Sequence, residues 1–215
     1  MDTLAARQQM VDQQVRTWEV LDSRVLDALA AVPRESFVPP AWTSVAFADA
    51  PIPIGFGQTM LPPNVHGRIL QALDIDAGAT ALEIGTGTGY LCACMGLLAR
   101  EVRSIELQAE LADFARANVG RFAGKAEIIT RDAFDPTPLG SYDVIAVTGS
   151  VPMHDARFEQ ALRVGGRLFI VVGEAPVMAA MLVRRVTATE WVRETLFETV
   201  LEPLVGAAMP DRFVF

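Results

Sequence analysis

The chain has 215 residues, of which 51% are hydrophobic and 20% charged, with a formal net charge of −8. That length suits one well-buried domain over residues 1–215 and excludes two ordinary ones, while the apolar content excludes a disordered chain. The negative balance argues against neutralising nucleic-acid phosphates. No run approaches the ~18 apolar residues that span a bilayer, and the N-terminus lacks a basic region followed by an apolar stretch, so a cytoplasmic protein without nucleic-acid or membrane partners is expected.

In chain order, a first helix is expected through Met10, Val11 and Val15. A second follows Asp22, whose side chain can cap it; Val25, Leu26, Leu29 and Ala30 recur at helical spacing, and Pro33 forbids its continuation. Between residues 37 and 63 stand six prolines, at 39, 40, 51, 53, 62 and 63, with glycines at 55 and 57, which predict an irregular segment. Long irregular loops in compact domains tend to carry function, so the tract 52–59 is the expected place of substrate contact. Residues 1–60 thus read as N-terminal helices plus a substrate loop.

Residues 61–176 read as a βαβ core. Short apolar runs at 81–84, 102–105, 127–129, 144–147 and 168–172 read as buried strands, separated by segments of helical length. That rhythm predicts an open, doubly wound, mainly parallel sheet. Residues 177–215 read as C-terminal strands, with 181–186 and 191–199 as an antiparallel hairpin turning at Thr187-Ala188-Thr189-Glu190. Cys92 and Cys94, two apart on a helix, point in different directions and have no histidine at ligand spacing, so neither a disulfide nor a metal site is expected.

The chemistry concentrates in Leu82-Glu83-Ile84-Gly85-Thr86-Gly87-Thr88-Gly89-Tyr90. It leaves a strand and enters a helix through glycines at every second position, so backbone can approach a ligand closely. Glu106, at the end of the next strand, follows Gly85 by about the ~20 residues that place a carboxylate on ribose hydroxyls. The glycine spacing differs from that of a dinucleotide loop, and Glu83 puts a carboxylate where a diphosphate would be repelled, which disfavours a nicotinamide dehydrogenase. A cofactor carrying an amine and a sulfonium fits better. Asp132, after the third strand of the core, is placed beside an adenine or else caps its own loop. The candidate cofactor set is Glu83, Gly85, Thr86, Gly87, Gly89, Glu106 with its neighbour Leu107, and Asp132 with its neighbour Ala133.

Several blocks also carry a resemblance: Val32-Pro33-Arg34-Glu35-Ser36-Phe37-Val38-Pro39, Pro53-Ile54-Gly55 with Gly57-Gln58-Thr59, the glycine loop, Val147-Thr148, and Gly165-Gly166-Arg167-Leu168. In this order and spacing the chain resembles the protein-L-isoaspartate O-methyltransferase family over nearly its whole length. The resemblance implies a seven-stranded Rossmann-like methyltransferase fold, S-adenosyl-L-methionine as donor, and isoaspartyl residues of damaged proteins or peptides as acceptors. Two places depart from the family's usual pattern. Leu61 stands where a serine helps to hold the acceptor, and Thr148-Gly149-Ser150-Val151-Pro152 replaces an alanine-rich strand end.

Because a carboxylate with a pKa near ~4 is already ionised at neutral pH, its methylation needs alignment more than a base. Thr59 and Gln58 are the candidate catalytic residues that could align it, although both could equally make hydrogen bonds internal to the loop. His66 and His154 read as solvated loop histidines first and as bases for a hydroxyl or amine acceptor second. Two alternatives stay open: a methyltransferase for another acceptor, and a non-catalytic S-adenosyl-L-methionine-binding protein.

Overall fold

The computed structural model describes residues 3–210. The expected C-terminal strand region therefore falls partly outside the described residues, at 211–215.

Helix α1 (Thr3–Met10) continues through a π-helical turn, Val11–Val15, and a 3₁₀ turn, Arg16–Trp18. Helix α2 (Ser23–Ala31) starts where the sequence indicates, with the Asp22 carboxylate accepting from Arg24 N–H at 2.9 Å. It ends because Val32, which precedes Pro33, is held extended by the proline ring. The stretch expected to be irregular is so only in part. Ile52–Gly55 (β1) and Gln58–Met60 (β2) pair antiparallel into a small ribbon whose turn, Gly55-Phe56-Gly57, has positive φ throughout. Helix α3 (Pro63–Leu73) follows directly, with proline at its first position, where no N–H is needed.

The sheet then assembles as β3 (Thr80–Ile84), β4 (Glu101–Glu106), β5 (Ala126–Thr130), β6 (Tyr142–Val151), β7 (Leu162–Glu174), β8 (Val177–Arg185) and β9 (Trp191–Glu198). Its order is β5-β4-β3-β6-β7-β8-β9. The pairs from β5 to β7 are parallel, and β8 and β9 are antiparallel. The five expected core strands and the expected hairpin are all present, most of them longer than their apolar runs.

Alternate strand residues serve opposite faces. Ala81, Val144, Ala146 and Phe169 join the core beneath α2, α3, α4 (Tyr90–Leu98) and α5 (Ala109–Phe122), whereas Leu82, Ile145, Val147 and Ile170 join a second core with Phe158 of α6 (Ala156–Gln160). Both faces are covered, as a mainly parallel sheet requires. The second face is clad by one short helix and by extended chain, because β5 runs to β6 and β7 to β8 without a long helix between them. Among the described residues beyond β9 there is no further strand. The chain returns over the end of β6, where Leu204 N–H donates to the Ser150 carbonyl and Ser150 N–H to the Glu202 carbonyl, both at 2.9 Å. Strand order reverses at β3, and the crevice that this leaves outside the strands' carboxyl ends is where open α/β sheets take ligands.

Candidate functional site

That crevice is built from the glycine loop outward. Gly85 sits at φ +89°, and a Cβ there would stand 2.5 Å from the Thr148 hydroxyl oxygen, which itself donates to the Gly85 carbonyl. Gly89, also at φ +89°, begins α4, and a Cβ would meet Val119 of α5 at 2.7 Å. These two glycines let the loop lie between the end of β6 and α5. Gly89 thus acts through packing and does not line the crevice.

Between them, Gly87 N–H donates to Glu106 Oε2 at 2.8 Å, and Gln108 N–H donates to Oε1 at 2.9 Å. The carboxylate is oriented by backbone, and each oxygen keeps accepting capacity toward the crevice. Gly85, Gly87, Glu106 and Leu107 line the crevice on one side, with Asp132 and Ala133 beyond β5. Asp132 lines the crevice, and its Oδ1 also accepts from Phe134 N–H at 2.8 Å, as a cap of its own loop does. Gln58 and Thr59 of β2 close the opposite side.

Glu83 and Thr86 lie elsewhere than the crevice wall. Both border a second, smaller cavity, which shares Thr59, Gly85, Gly87 and Thr148 with the first. The Glu83 carboxyl is fully buried; Oε2 is hydrogen-bonded by Ser104 Oγ, which also meets Thr86 Oγ1 at 2.5 Å, and Cys92 of α4 adds weaker hydrogen bonding. Burial pushes this carboxyl up to about 8; the Ser104 hydrogen bond opposes the shift and repulsion from Glu106 adds to it. At neutral pH the protonated form is favoured, so the anion expected to repel a diphosphate is largely absent.

His66 is the clearest correction. It is buried rather than solvated, because α3 turns it inward against Tyr90, with ring centroids 5.1 Å apart and edge to face. It also borders the second cavity, and its Nδ1 lies 3.1 Å from Nη1 of Arg34. Arg34 is fully buried as well, donating to the Ala46 carbonyl at 2.8 Å and the Leu61 carbonyl at 2.7 Å, with Tyr90 beneath its guanidinium. His154 is not in the site. Its Nε2 lies 2.8 Å from Glu159, whose carboxylate Arg193 also grips, and the cluster ties α6 to β9.

Sequence reasoning missed the contribution of the C-terminal return. Leu204 and Val205 line the crevice, and a Cβ on Gly149 would stand 2.7 Å from Leu204 Cδ2. The departure at Gly149-Ser150 therefore has a structural reason: a bare position and a hydroxyl that donates to the Leu201 carbonyl at 3.0 Å accommodate the returning chain.

Residues 5–208 match the family profile of protein-L-isoaspartate(D-aspartate) O-methyltransferase. The chain belongs to this family. A protein-L-isoaspartate O-methyltransferase from Koribacter versatilis is 38% identical over 202 residues, covering 93% of this chain and 90% of the relative. One from Aeropyrum pernix is 36% identical over 208 residues, covering 94% and 80%. A Plasmodium falciparum chain solved in complex with S-adenosyl-L-homocysteine superposes with a TM-score of 0.79 at 20% identity, covering 92% of this chain and 97% of that one, and it shares the fold. Against the family pattern Leu61 is a buried core residue bordering the second cavity, and its main-chain carbonyl accepts from Arg34.

Proposed function

We propose that this chain is an S-adenosyl-L-methionine-dependent O-methyltransferase acting on the free carboxylate of isoaspartyl residues in damaged proteins or peptides. The observation that carries this reading is the crevice itself, where a backbone-oriented Glu106 carboxylate faces a pocket walled by Ile105, Leu107, Leu111 and Phe134. Acceptor oxygens beside apolar walls fit a ribose diol and a flat heterocycle. Glu106 and the 85–89 loop are the residues to hold such a cofactor. When bound, S-adenosyl-L-methionine supplies an electrophilic methyl group.

The chain's own part is alignment. Gln58 and Thr59 offer an amide and a hydroxyl to orient an acceptor carboxylate, which arrives already ionised. Ile54, Leu204 and Val205 add apolar wall around these groups and exclude water. Residues 1–215 act in this reading as one methyltransferase domain. The two free, buried cysteines accord with a cytoplasmic setting, and among the described residues no helix is long and apolar enough to cross a membrane. The test is incubation with methyl-labelled cofactor and an isoaspartyl peptide beside its aspartyl control. Label on the isoaspartyl peptide alone supports the reading; label on neither, or equally on both, removes it. A second reading, the same chemistry on another acceptor, is favoured by Leu61, whose side chain cannot donate a hydrogen bond.

A further inference from the structure

The buried Arg34–His66 pair is chemically specific in a way that the cofactor crevice does not require. A neutral histidine has one donor nitrogen and one acceptor nitrogen, whereas a guanidinium has donors only. Since Arg34 Nη1 can only donate, its 3.1 Å contact with His66 Nδ1 is a hydrogen bond only in the form whose Nδ1 accepts and whose ring proton resides on Nε2. We propose that Arg34 is a positioning residue that fixes His66 as the neutral Nε2–H tautomer, giving the second cavity a hydrogen-bond donor and denying it a base. The inference rests on the methyltransferase reading above and narrows its acceptor. A hydroxyl or amine must shed a proton when it takes a methyl group, and an imidazole with Nδ1 engaged and Nε2 protonated cannot receive it. A carboxylate sheds none and gains from a donor.

The surroundings of His66 support a neutral ring. Arg34 faces it from the 3₁₀ turn Arg34–Ser36, Tyr90 from α4, and Glu83 borders the same cavity from β3. Burial and the Arg34 charge hold its pKa well below the usual histidine range, and only the Pro62 carbonyl pulls the other way. Burial also keeps Tyr90 a neutral phenol and pushes Glu83 up to about 8, so neither supplies an anion at neutral pH. Arg34 itself, lowered by burial to about 10, stays charged; the weaker influences of Tyr90, Cys94 and Asp49 favour that charge.

The deciding measurement is nitrogen-15 NMR of histidine-labelled full-length protein. The chain has two histidines, so His154→Gln leaves the His66 signals alone. The expected spectrum shows the Nε2–H form without titration from about pH 5.5 to 8.5, across the range in which an ordinary imidazole changes charge. In Arg34→Met the Nδ1–H form should appear, or the ring should begin to titrate in that range. A wild-type ring that carries its proton on Nδ1 or titrates near the ordinary value overturns the proposal, and so does an Arg34→Met ring that keeps the pure Nε2–H form. If Arg34→Met does not fold, the wild-type spectrum decides alone. The spectrum needs no acceptor, so a failure of methyl transfer to isoaspartyl peptide would count against the function and leave the Arg34 assignment standing.

Discussion

Glu106, Glu83 and Leu61 show how differently similar sequence signals resolve at the scale of a single residue. Glu106 is held by two backbone amides with its oxygens toward the crevice. Losing charge-assisted hydrogen bonds to a ligand costs roughly 1.5–3 kcal/mol. Glu106→Ala should therefore weaken S-adenosyl-L-homocysteine binding by about 10- to 150-fold in calorimetry, and an unchanged affinity would remove its ribose role. Glu83 is instead a stability liability. Unfolded, its carboxyl ionises near 4.5; folded, it keeps its proton to about 8. Between those pH values the native state binds the extra proton, so stability falls as pH rises. Glu83→Gln removes that dependence. Its gain in unfolding free energy should be larger at pH 8 than at pH 5, by an amount bounded by ~1.4 kcal/mol per pKa unit, and a gain independent of pH would mean that the carboxyl ionises normally. At Leu61 two effects oppose one another. Leu61→Ser supplies a hydroxyl worth ~0.5–1.5 kcal/mol, or about 2- to 13-fold in rate on an isoaspartyl peptide if realised in the transition state. It also truncates a core side chain at roughly 2–5 kcal/mol. The variant should be faster and less stable; a slower variant that is fully folded would show that the serine position does not govern the acceptor.

Among elements, the ones legible in the sequence were those with dense local signals. The run at 144–147 could be read because a strand buried on both faces is apolar throughout, and those at 81–84 and 102–105 because apolar residues still flank the Glu83 and the Arg103-Ser104 within them. The loop that leaves β3 was legible because its glycines stand on a strand-to-helix junction. Asp22 marked α2 because a cap is a local contact. The ribbon of β1 and β2 was hidden by its shortness and by Pro53. The burial of His66 was hidden because its partner, Arg34, lies 32 residues away and itself reads as a surface charge. The C-terminal return was hidden for the same reason, since its partners Ser150 and Gly149 are distant in sequence and small. The return gives its own prediction. Gly149→Ala puts a Cβ 2.7 Å from Leu204 Cδ2 and 3.3 Å from the Glu202 carbonyl oxygen. Overpacking of this kind costs about 1–3 kcal/mol. Urea unfolding should show that loss, and hydrogen exchange should quicken at residues 201–204 while β6 and β7 keep their protection. Unaltered exchange at 201–204 would mean that the return is not held there.

For the whole molecule, sheet topology places the crevice, the helices of the first face supply the loop's backing, and the two chain regions outside the βαβ core supply its walls. Ile54, Gln58 and Thr59 line the crevice together with Leu204 and Val205 of the C-terminal return, so its walls come together only in the complete fold. The central claim is that a methyl group passes to a carboxylate. A carboxyl methyl ester is cleaved by mild alkali, whereas methylated nitrogen or ether oxygen is not, so the product's lability reports the acceptor atom directly. The most direct measurement is to label an isoaspartyl peptide with methyl-labelled S-adenosyl-L-methionine and this protein, then expose the product to mild base. The account predicts label on the isoaspartyl peptide but not on its aspartyl control, released quantitatively as methanol. Label that survives alkali, or that appears equally on both peptides, would contradict it.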